Sequence, residues 1–283
     1  MILPITINLT TRGRYNTTLP LCLMSIVNQT LIPYEVILVD DNIDKLFYSN
    51  PVFKEILRLF KIKNIKFSYF YGESRGQTYA QQIAFNNTKT PFILKLDDDN
   101  VLEPLVLEHL FNTINLNSKI GAVSGLVLGP QDYFREINHT SKEIYNKLED
   151  IYCGFNIQMC GLQDYTLKKV EHIYSNFLFK KELVEGYCTE FSPSGHREDT
   201  ILTHEIYRKG YDLIIHPKSI THHLSSSEGG NKIYSSKHVL KNELLFIEKL
   251  KEWGIIPNKI TLEEDENNVF IRKYNSKWLV YKK

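Results

Sequence analysis

Three consecutive aspartates, Asp97, Asp98 and Asp99, follow an apolar run in the segment PFILKLDDDNVLEP, which begins at Pro91. Adjacent carboxylates repel one another and strands disfavour aspartate, so the cluster needs a physical reason. One interpretation is a turn before a helix that starts at the Glu-Pro pair, because aspartate and asparagine favour turns and caps. The other is a site for Mg²⁺ or Mn²⁺, which bind carboxylate oxygens and usually share their remaining positions with phosphates.

A second acidic pair, Glu198 and Asp199, lies within SGHREDTILTHEIYRKGYDLIIHPKSITHH, residues 194–223. The pattern predicts a helix that opens at this pair and ends at a Lys-Gly pair. Acids in the first turn of a helix are stabilised by its dipole, so a capping role is the simpler explanation of the pair taken alone. A strand is predicted over YDLIIH, residues 211–216, and it is followed by Pro217 and then by His222 and His223. Neutral imidazole suits Mn²⁺ as a ligand beside carboxylates.

The elements that position these residues alternate along the first 130 residues. Strands are predicted over five apolar runs: 5–10, 35–41, 65–71, 91–97 and 120–128. Amphipathic helices are predicted between them, over 19–26, 53–60, 76–87 and 107–114. Because strands that are apolar throughout lie between amphipathic helices, the pattern indicates a parallel sheet covered on both faces.

Polar residues follow three of the predicted strands. They are Thr10-Thr11-Arg12 after the first strand, Asp40-Asp41 after the second and Asp97 to Asp99 after the fourth. The carboxyl ends of parallel strands meet at one edge of a sheet, where ligands bind in such folds. Three unrelated turns would seldom bring polar groups to one edge, so the arrangement favours a binding site.

The rest of the chain departs from this alternation. Residues 131–165 are polar and aromatic, and we expect them to form an insertion over the site, part helix and part loop. A helix is predicted over 236–252, and the alternating C-terminus predicts a hairpin that turns at Asn275-Ser276.

Composition excludes several classes of protein. The net charge of the 283 residues is +1, so no basic field for nucleic acid is expected. The four cysteines show no metal-binding spacing and are predicted to be reduced thiols. The N-terminus lacks the charged region of a signal peptide, and no apolar run reaches the roughly 20 residues of a membrane helix. We therefore expect a cytoplasmic protein, soluble or peripheral at a membrane surface.

Three segments resemble the glycosyltransferases of the GT-A fold, family 2, which are inverting nucleotide-sugar transferases. The resemblance covers residues 3–224, and its segments are ITINLTTRGRYNTTLPLCLMSIVNQTLIPYEVILVDDN, SRGQTYAQQIAFNNTKTPFILKLDDDNVLEP and REDTILTHEIYRKGYDLIIHPKSITHH. The first is similar to the family's strand, its CL-x-S-I-x-x-Q-T helix and its VDD strand. The second is similar to its RG segment and DXD strand, and the third to its ED helix and trailing histidine.

This resemblance implies an α/β fold of the GT-A (Rossmann-like) type, with a mostly parallel central sheet flanked by helices. A catalytic domain is expected over residues 1–224, with a nucleotide-sugar half over 1–130 and an acceptor half over 131–224. Residues 225–283 are expected to be a C-terminal extension packed on the same domain.

The resemblance also assigns nucleotide-binding roles, residue by residue. Thr10, Thr11 and Arg12 would line the nucleotide pocket, and Asp41 would accept a hydrogen bond from N3–H of uracil. Arg75 matches a position that contacts the nucleotide or its phosphates.

A divalent metal, Mn²⁺ or Mg²⁺, is implied at the three aspartates. Asp97 and Asp99 match the two acids of the DXD motif, and Asp98 is its middle residue. Asp99 would bind the metal directly, Asp97 would face the metal-bound water or the ribose, and His222 matches the histidine that completes the metal shell. A bound cation would also offset the repulsion between the aspartates.

Asp199 matches the family's catalytic base, with Glu198 as the alternative if the register differs by one residue. The implied reaction is an inverting, metal-dependent transfer of a sugar, expected to be a hexose, from a nucleotide sugar to a hydroxyl acceptor. The donor is expected to be a UDP-sugar, and the acceptor a glycan or a lipid-linked or protein-linked hydroxyl in glycan or polysaccharide synthesis.

Two other classes of function stay open. A metal-dependent nucleotidyltransferase or phosphohydrolase also fits acidic strand ends, although the sequence shows no basic glycine-rich phosphate loop. A non-catalytic module that binds nucleotide sugars or glycans is the second, against which the intact Asp97, Asp99 and Asp199 argue.

Overall fold

The structure is a computed structural model that describes residues 1–44, 46–130, 158, 166–193, 195–230, 236–254, 260–273 and 279–282. All of the expected insertion over 131–165 except Gln158 lies outside these residues, as does the predicted turn at Asn275-Ser276. Cys22 and Cys188 are free thiols, as predicted, while Cys153 and Cys160 also lie outside the described residues.

The first part of the chain alternates strands with helices, which confirms the sequence prediction. Its elements are β1 (Ile2–Thr11), α1 (Leu19–Val27), β2 (Ile32–Asp40), α2 (Pro51–Ile62), β3 (Lys66–Tyr71), α3 (Gln77–Asn87) and β4 (Phe92–Asp97). The four strands are parallel and lie in the order β3-β2-β1-β4. Their carboxyl ends therefore face one edge of the sheet.

The second part of the chain completes the sheet with five more strands. Its elements are β5 (Asn100–Leu102), α4 (Val106–Ile114), β6 (Ile120–Leu128), β7 (Lys168–Val170), β8 (Phe177–Lys180), α5 (Glu198–Arg208) and β9 (Asp212–His223). The strand order continues from β4 as β8-β6-β9-β5, and β7 pairs with β9. β8 is antiparallel to both β4 and β6, so the sheet is mixed but mostly parallel.

The predicted helical faces are buried against this sheet. Leu19, Cys22, Leu23 and Ile26 of α1 are all inaccessible or nearly so, and the apolar residues of α2 and α4 join them in the main core. Because apolar residues spaced by three and four lie on one side of a helix, the sequence spacing was sufficient to identify the buried faces.

One strand is longer than the sequence predicts. We expected a strand to end near His216, but β9 continues through Pro217 to His223. Its pairing with β6 shifts register between His216 and Ile220, so Pro217 lies in an irregular stretch of the strand. Proline has no backbone N–H, and at this irregularity none is required for pairing between the strands. Gly125 makes room for this stretch, because a Cβ there would lie 1.9 Å from the carbonyl oxygen of Ser219.

The C-terminal part contains the predicted helix, α6 (Ser236–Glu252), followed by three short strands. These strands, β10 (Ile260–Glu264), β11 (Asn268–Lys273) and β12 (Leu279–Lys282), form an antiparallel sheet. The pairing of β11 with β12 is the predicted hairpin, whereas β10 was not predicted. Phe246 and Leu250 of α6 pack against Phe191 and Ile201, which joins this helix to the segment around α5. None of the described helices is long and apolar enough to cross a membrane.

Stability at mildly acidic pH should depend on His172, whose side chain is only 1% exposed. Burial, together with nearby Arg197 and His204, lowers its pKa to about 3. The unfolded chain binds a proton near the ordinary pKa of about 6.5 while the folded chain does not, so stability falls as the pH drops below that value.

When the pH is lowered from about 7.5 to about 5.5, the free energy of unfolding of the wild type should decrease. We expect this decrease to be about 1 kcal/mol smaller in His172→Leu. Urea titrations of both proteins at the two pH values measure this difference. Parallel losses in variant and wild type would show that His172 does not set the acid sensitivity.

Candidate active site

A cavity of about 670 Å³ opens at the carboxyl ends of β1 and β4 and beside the first turn of α5. Acidic side chains dominate its charged lining: Asp41, Asp97, Asp98, Asp99, Glu198 and Asp199. Thr10, Thr11 and Arg12 also line it. The polar residues that follow β1, β2 and β4 thus meet at one edge of the sheet, together with the acidic pair of α5.

Asp41 lies at the end of the cavity formed by β1 and β2. Its Oδ2 lies 3.1 Å from Arg12 Nη1 and accepts a hydrogen bond of 3.0 Å from the backbone N–H of Gly76. Its Oδ1 is buried and has no hydrogen-bond partner among the described residues. Burial raises the pKa of Asp41 despite these two contacts. One buried carboxylate oxygen of Asp41 therefore lacks a hydrogen-bond donor among the described residues.

Arg75 lies elsewhere. Its side chain is 57% exposed, and its guanidinium stacks on the ring of Tyr79 at 3.6 Å. It does not line the cavity in the part of the chain that the structure describes. The loop before α3 turns the side chain of Arg75 away from the other predicted nucleotide-binding residues, although its backbone lies beside Asp41. Arg14, which sequence reasoning missed, is the arginine that lies among the aspartates.

Asp98 is a buried part of the cavity wall, where it contacts Arg14 and Thr11. Arg14 Nη1 donates to Asp98 Oδ1 at 2.5 Å, and Thr11 Oγ1 donates to Oδ2 at 2.6 Å. Burial raises the pKa of Asp98 to about 7, although both contacts oppose the shift. Since its two oxygens bind protein groups, Asp98 joins the end of β4 to the loop after β1. Asp98 was expected to bind the nucleotide, but the contacts described for its carboxylate are with the protein side chains of Arg14 and Thr11.

Asp99 carries the contacts expected of a ligand-binding acid. Its Oδ2 lies 2.9 Å from Arg14 Nη1 and 3.3 Å from His223 Nε2. Burial opposes ionisation, but the bond to His223 and the neighbouring positive charges lower the pKa of Asp99. The same contact raises the pKa of His223.

The structure places His223, and not the predicted His222, beside Asp99. His222 Nε2 lies 3.1 Å from Glu103 Oε1, and it is His223 that reaches Asp99. Successive side chains of a strand point to opposite faces, so only one of two adjacent histidines on β9 can face the aspartates.

Asp97 faces the cavity from the end of β4 and is held by three side chains. Its Oδ1 accepts from Lys95 Nζ at 2.8 Å and from Gln77 Nε2 at 3.3 Å, while its Oδ2 accepts from Ser175 Oγ at 3.0 Å. The carboxylate is 21% exposed, which leaves part of it open to the cavity.

Asp199 occupies the first turn of α5 and lines the same cavity as Asp41. Its Oδ2 accepts from Lys95 Nζ at 2.7 Å and from the backbone N–H of Ser175 at 2.9 Å. Its Oδ1 is buried and has no partner among the described residues. Burial raises the pKa of Asp199, although Lys95 opposes the shift. A carboxylate with a raised pKa is suited to accept a proton.

Glu198, the neighbouring acid, is also buried, and its side chain lines the same cavity. Burial and the charge of Asp199 raise its pKa well above the ordinary value. The charge of Lys95 opposes this shift, as it does for Asp199.

The loop before α5 is fixed by the C-terminal helix. Arg197 has a positive φ of 77°, and its Nε donates to Glu243 Oε1 of α6 at 2.6 Å. His196 Nε2 lies 2.6 Å from the same oxygen, and the guanidinium of Arg197 lies over the ring of Phe246 at 4.7 Å. The extension therefore supports the turn that presents the acidic pair to the cavity.

The residues at the aspartates fit a divalent cation in type. No group of three or more His, Cys, Asp or Glu side chains is arranged to hold a metal among the described residues. Asp99 and His223 nevertheless place one carboxylate and one imidazole side by side. Such mixed oxygen and nitrogen donors suit Mn²⁺, which usually completes its shell with water and substrate phosphates.

A mostly parallel sheet with acidic clusters at its strand ends, joined by an acidic pair on a following helix, is the architecture expected of the GT-A fold. The family model described as glycosyl transferase family 2 matches residues 7–169, more than half of the chain. The chain therefore belongs to glycosyl transferase family 2. No curated protein sequence matches it.

Solved structures support the fold. The chain is similar to the crystal structure of GalNAc-T7 with UDP, GalNAc and Mn²⁺, with a TM-score of 0.62 and 16% identity, over 86% of this chain and 48% of that one. It is also similar to TarS 1–349 of S. aureus, with a TM-score of 0.55 and 14% identity, over 88% of this chain and 66% of that one. The chain spans about half the length of the GalNAc-T7 chain. These likenesses confirm the predicted GT-A architecture.

Proposed function

We propose that the protein transfers a sugar, with inversion, from a UDP-sugar to an acceptor hydroxyl, with the help of a divalent metal. The observation that carries the proposal is that Asp41, Asp99 and Asp199 line a single cavity. In this proposal, Asp41 meets the uracil base, Asp99 the metal and diphosphate, and Asp199 the attacking hydroxyl. A cavity of about 670 Å³ is within the usual range for a small-molecule site.

The uridine would lie at Asp41. A buried carboxylate oxygen without a protein partner costs free energy until a donor reaches it, and N3–H of uracil is such a donor. Thr10, Thr11 and Arg12 line the same end of the cavity, and Asp97 is placed to contact the ribose. The uridine and Mn²⁺ named for the GalNAc-T7 structure are consistent with this donor class.

The diphosphate would lie at Asp99 and His223, which would hold the metal. A bound divalent cation neutralises the charge of the departing diphosphate. Arg14, whose guanidinium contacts both Asp98 and Asp99, adds a fixed positive charge at the same edge. The structure supports Arg14 in this role in place of Arg75.

The acceptor hydroxyl would lie at Asp199. Its proton passes to Oδ1, while the hydroxyl oxygen forms a bond to the anomeric carbon and the bond to the diphosphate breaks on the opposite face. Such a single displacement inverts the anomeric centre. The proposed acceptor is a glycan, or a hydroxyl group on a lipid or a protein. We assign binding of the acceptor to residues 131–224.

The test is incubation of the purified protein with a panel of nucleotide sugars and Mn²⁺, without acceptor. Slow release of UDP from a UDP-sugar, with hydrolysis of the sugar, is the expected result. Release of UMP or pyrophosphate would instead indicate a nucleotidyltransferase or phosphohydrolase. Binding without any turnover, even with a range of added hydroxyl acceptors, would indicate a non-catalytic module.

The role of Asp41 predicts a selective loss. Asp41→Ala should weaken UDP binding by about 10-fold or more, the worth of one hydrogen bond to a charged group. Binding of pyrophosphate with Mn²⁺ should stay unchanged, because the diphosphate lies away from Asp41. Calorimetry with both ligands measures the difference.

The matched control is Asp44→Ala, since Asp44 is an exposed acid in the same loop. It should leave both affinities unchanged. An equal loss of UDP and pyrophosphate binding in Asp41→Ala would assign Asp41 to a structural role through its bond to Gly76.

A further inference from the structure

Lys95 is a buried lysine in the middle of an otherwise apolar strand. Its side chain is only 1% exposed, and it sits in the run FILKLD of β4, two residues before Asp97. Lysine is almost never fully buried unless it is paired, so its position needs a partner of opposite charge. Lys95 lines the cavity beside the acids described above.

The ammonium of Lys95 has two such partners, one from each half of the site. Nζ lies 2.8 Å from Oδ1 of Asp97 and 2.7 Å from Oδ2 of Asp199. Asp97 belongs to the end of β4, whereas Asp199 belongs to α5. A single side chain therefore joins the donor side of the cavity to the helix that carries the proposed base.

These contacts distinguish the two oxygens of Asp199. Oδ2 accepts from Lys95 and from the backbone N–H of Ser175, so it is fixed by two donors on separate segments. Oδ1 has no partner among the described residues. A carboxylate anchored through one oxygen cannot rotate freely, and its second oxygen keeps one direction.

We propose that Lys95 is a positioning residue that anchors Asp199 through Oδ2, so that Oδ1 faces the acceptor hydroxyl. The inference rests on the proposed function, in which Oδ1 takes the proton of that hydroxyl. Lys95 keeps all its protons during the reaction and forms no bond to the sugar. Its contact with Asp97 also keeps the base aligned with the donor, because both acids share one ammonium.

A purely structural role makes a different prediction. If Lys95 only balances buried charge, its loss should lower stability without a specific effect on turnover of the protein that remains folded. If it positions Asp199, its loss should lower kcat while KM for the donor and UDP affinity change little. The effect should also vanish when the base itself is absent.

The experiment compares Lys95→Met, Lys95→Arg, Asp199→Asn and the double variant Lys95→Met/Asp199→Asn, with UDP release from a UDP-sugar as the readout. We expect Lys95→Met to lower kcat by about 10²-fold, the lower end of what a base contributes. The double variant should be no slower than Asp199→Asn alone, since residues that act as a unit are not additive. Lys181→Met is the control, because Lys181 is a partly buried lysine bonded to the carbonyl oxygen of Thr88, away from the cavity. It should keep wild-type turnover.

Lys95→Arg keeps a cation and should retain at least about tenfold more turnover than Lys95→Met. If Lys95→Met does not fold, the proposal depends on Lys95→Arg. A folded Lys95→Arg protein that binds UDP normally but is as slow as Asp199→Asn would contradict it.

The proposal is also wrong if Lys95→Met keeps wild-type kcat, or if the losses from Lys95→Met and Asp199→Asn multiply in the double variant. Normal turnover in Asp199→Asn would instead refute the proposed base. The Lys95 variants therefore test the positioning role, whereas Asp199→Asn tests the proposed base.

Discussion

Replacement of Asp199 by asparagine should lower sugar transfer by about 10²–10⁴-fold and leave UDP binding within roughly threefold of wild type. An amide cannot take a proton from the acceptor hydroxyl, so the chemical step loses its base. The fold should survive, because asparagine is about as good as aspartate near a helix N-terminus. Its side-chain oxygen can still accept from Lys95 and Ser175, which bind Oδ2 in the wild type. Turnover and calorimetric UDP affinity, measured on the same preparation, give the two quantities.

Glu198→Gln is the matched control, since it changes the adjacent acid of the same helical turn. We expect a smaller loss, because it is the carboxylate of Asp199 that Lys95 and the backbone of Ser175 hold in a fixed orientation. If Glu198→Gln is inactive and Asp199→Asn is not, the base is Glu198. If both variants keep their turnover, neither acid accepts the proton and the displacement drawn here is wrong.

The elements around the site could be predicted from sequence because each depends on a local period. The four apolar positions of α1 are buried as their spacing indicates, and α6 has the predicted bounds. Once the strands are parallel, the positions of Asp41, Asp97 and Asp99 at one edge follow from geometry alone. The family resemblance added the acidic pair of α5, which no local rule distinguishes from a cap.

Side-chain direction was harder to predict, because it depends on contacts between distant segments. His222 and His223 are both compatible with the motif, and only the pairing of β9 with β5 and β6 decides which faces Asp99. Arg75 lies on a loop whose path the sequence does not specify, and its side chain stacks on Tyr79. The antiparallel β8 is four residues long, too short for a clear period.

The partners of Lys95 could have been sought from the sequence, because the position of this lysine is unusual. A lysine inside the apolar run of β4 contradicts the expected pattern of a buried strand, so it must meet an acid. The partners themselves, 2 and 104 residues away along the chain, become visible only in the folded protein. Arg14 is similar, since its bond to Asp98 joins residues 84 positions apart.

Loss of the proposed metal ligands should have the second large effect. Asp99→Asn should weaken UDP binding in Mn²⁺ by on the order of 10²-fold, because the amide removes both a ligand and a negative charge. His223→Gln should weaken it less, since water can replace a neutral ligand. Calorimetry with UDP, in Mn²⁺ and in excess EDTA, measures how much of the UDP affinity depends on the metal. The variants should lose this metal-dependent affinity and keep the affinity measured in EDTA.

The adjacent histidines on β9 make this prediction specific. His222→Gln is the matched control, because His222 contacts Glu103 and faces away from the aspartates. It should leave the Mn²⁺ dependence unchanged, whereas His223→Gln should reduce it. Equal effects from the two histidines would mean that the loss comes from disturbance of the strand. Equal UDP affinity of the wild type in Mn²⁺ and in EDTA would remove the metal from the proposal, and Arg14 beside Asp98 and Asp99 would then be the cation that meets the diphosphate.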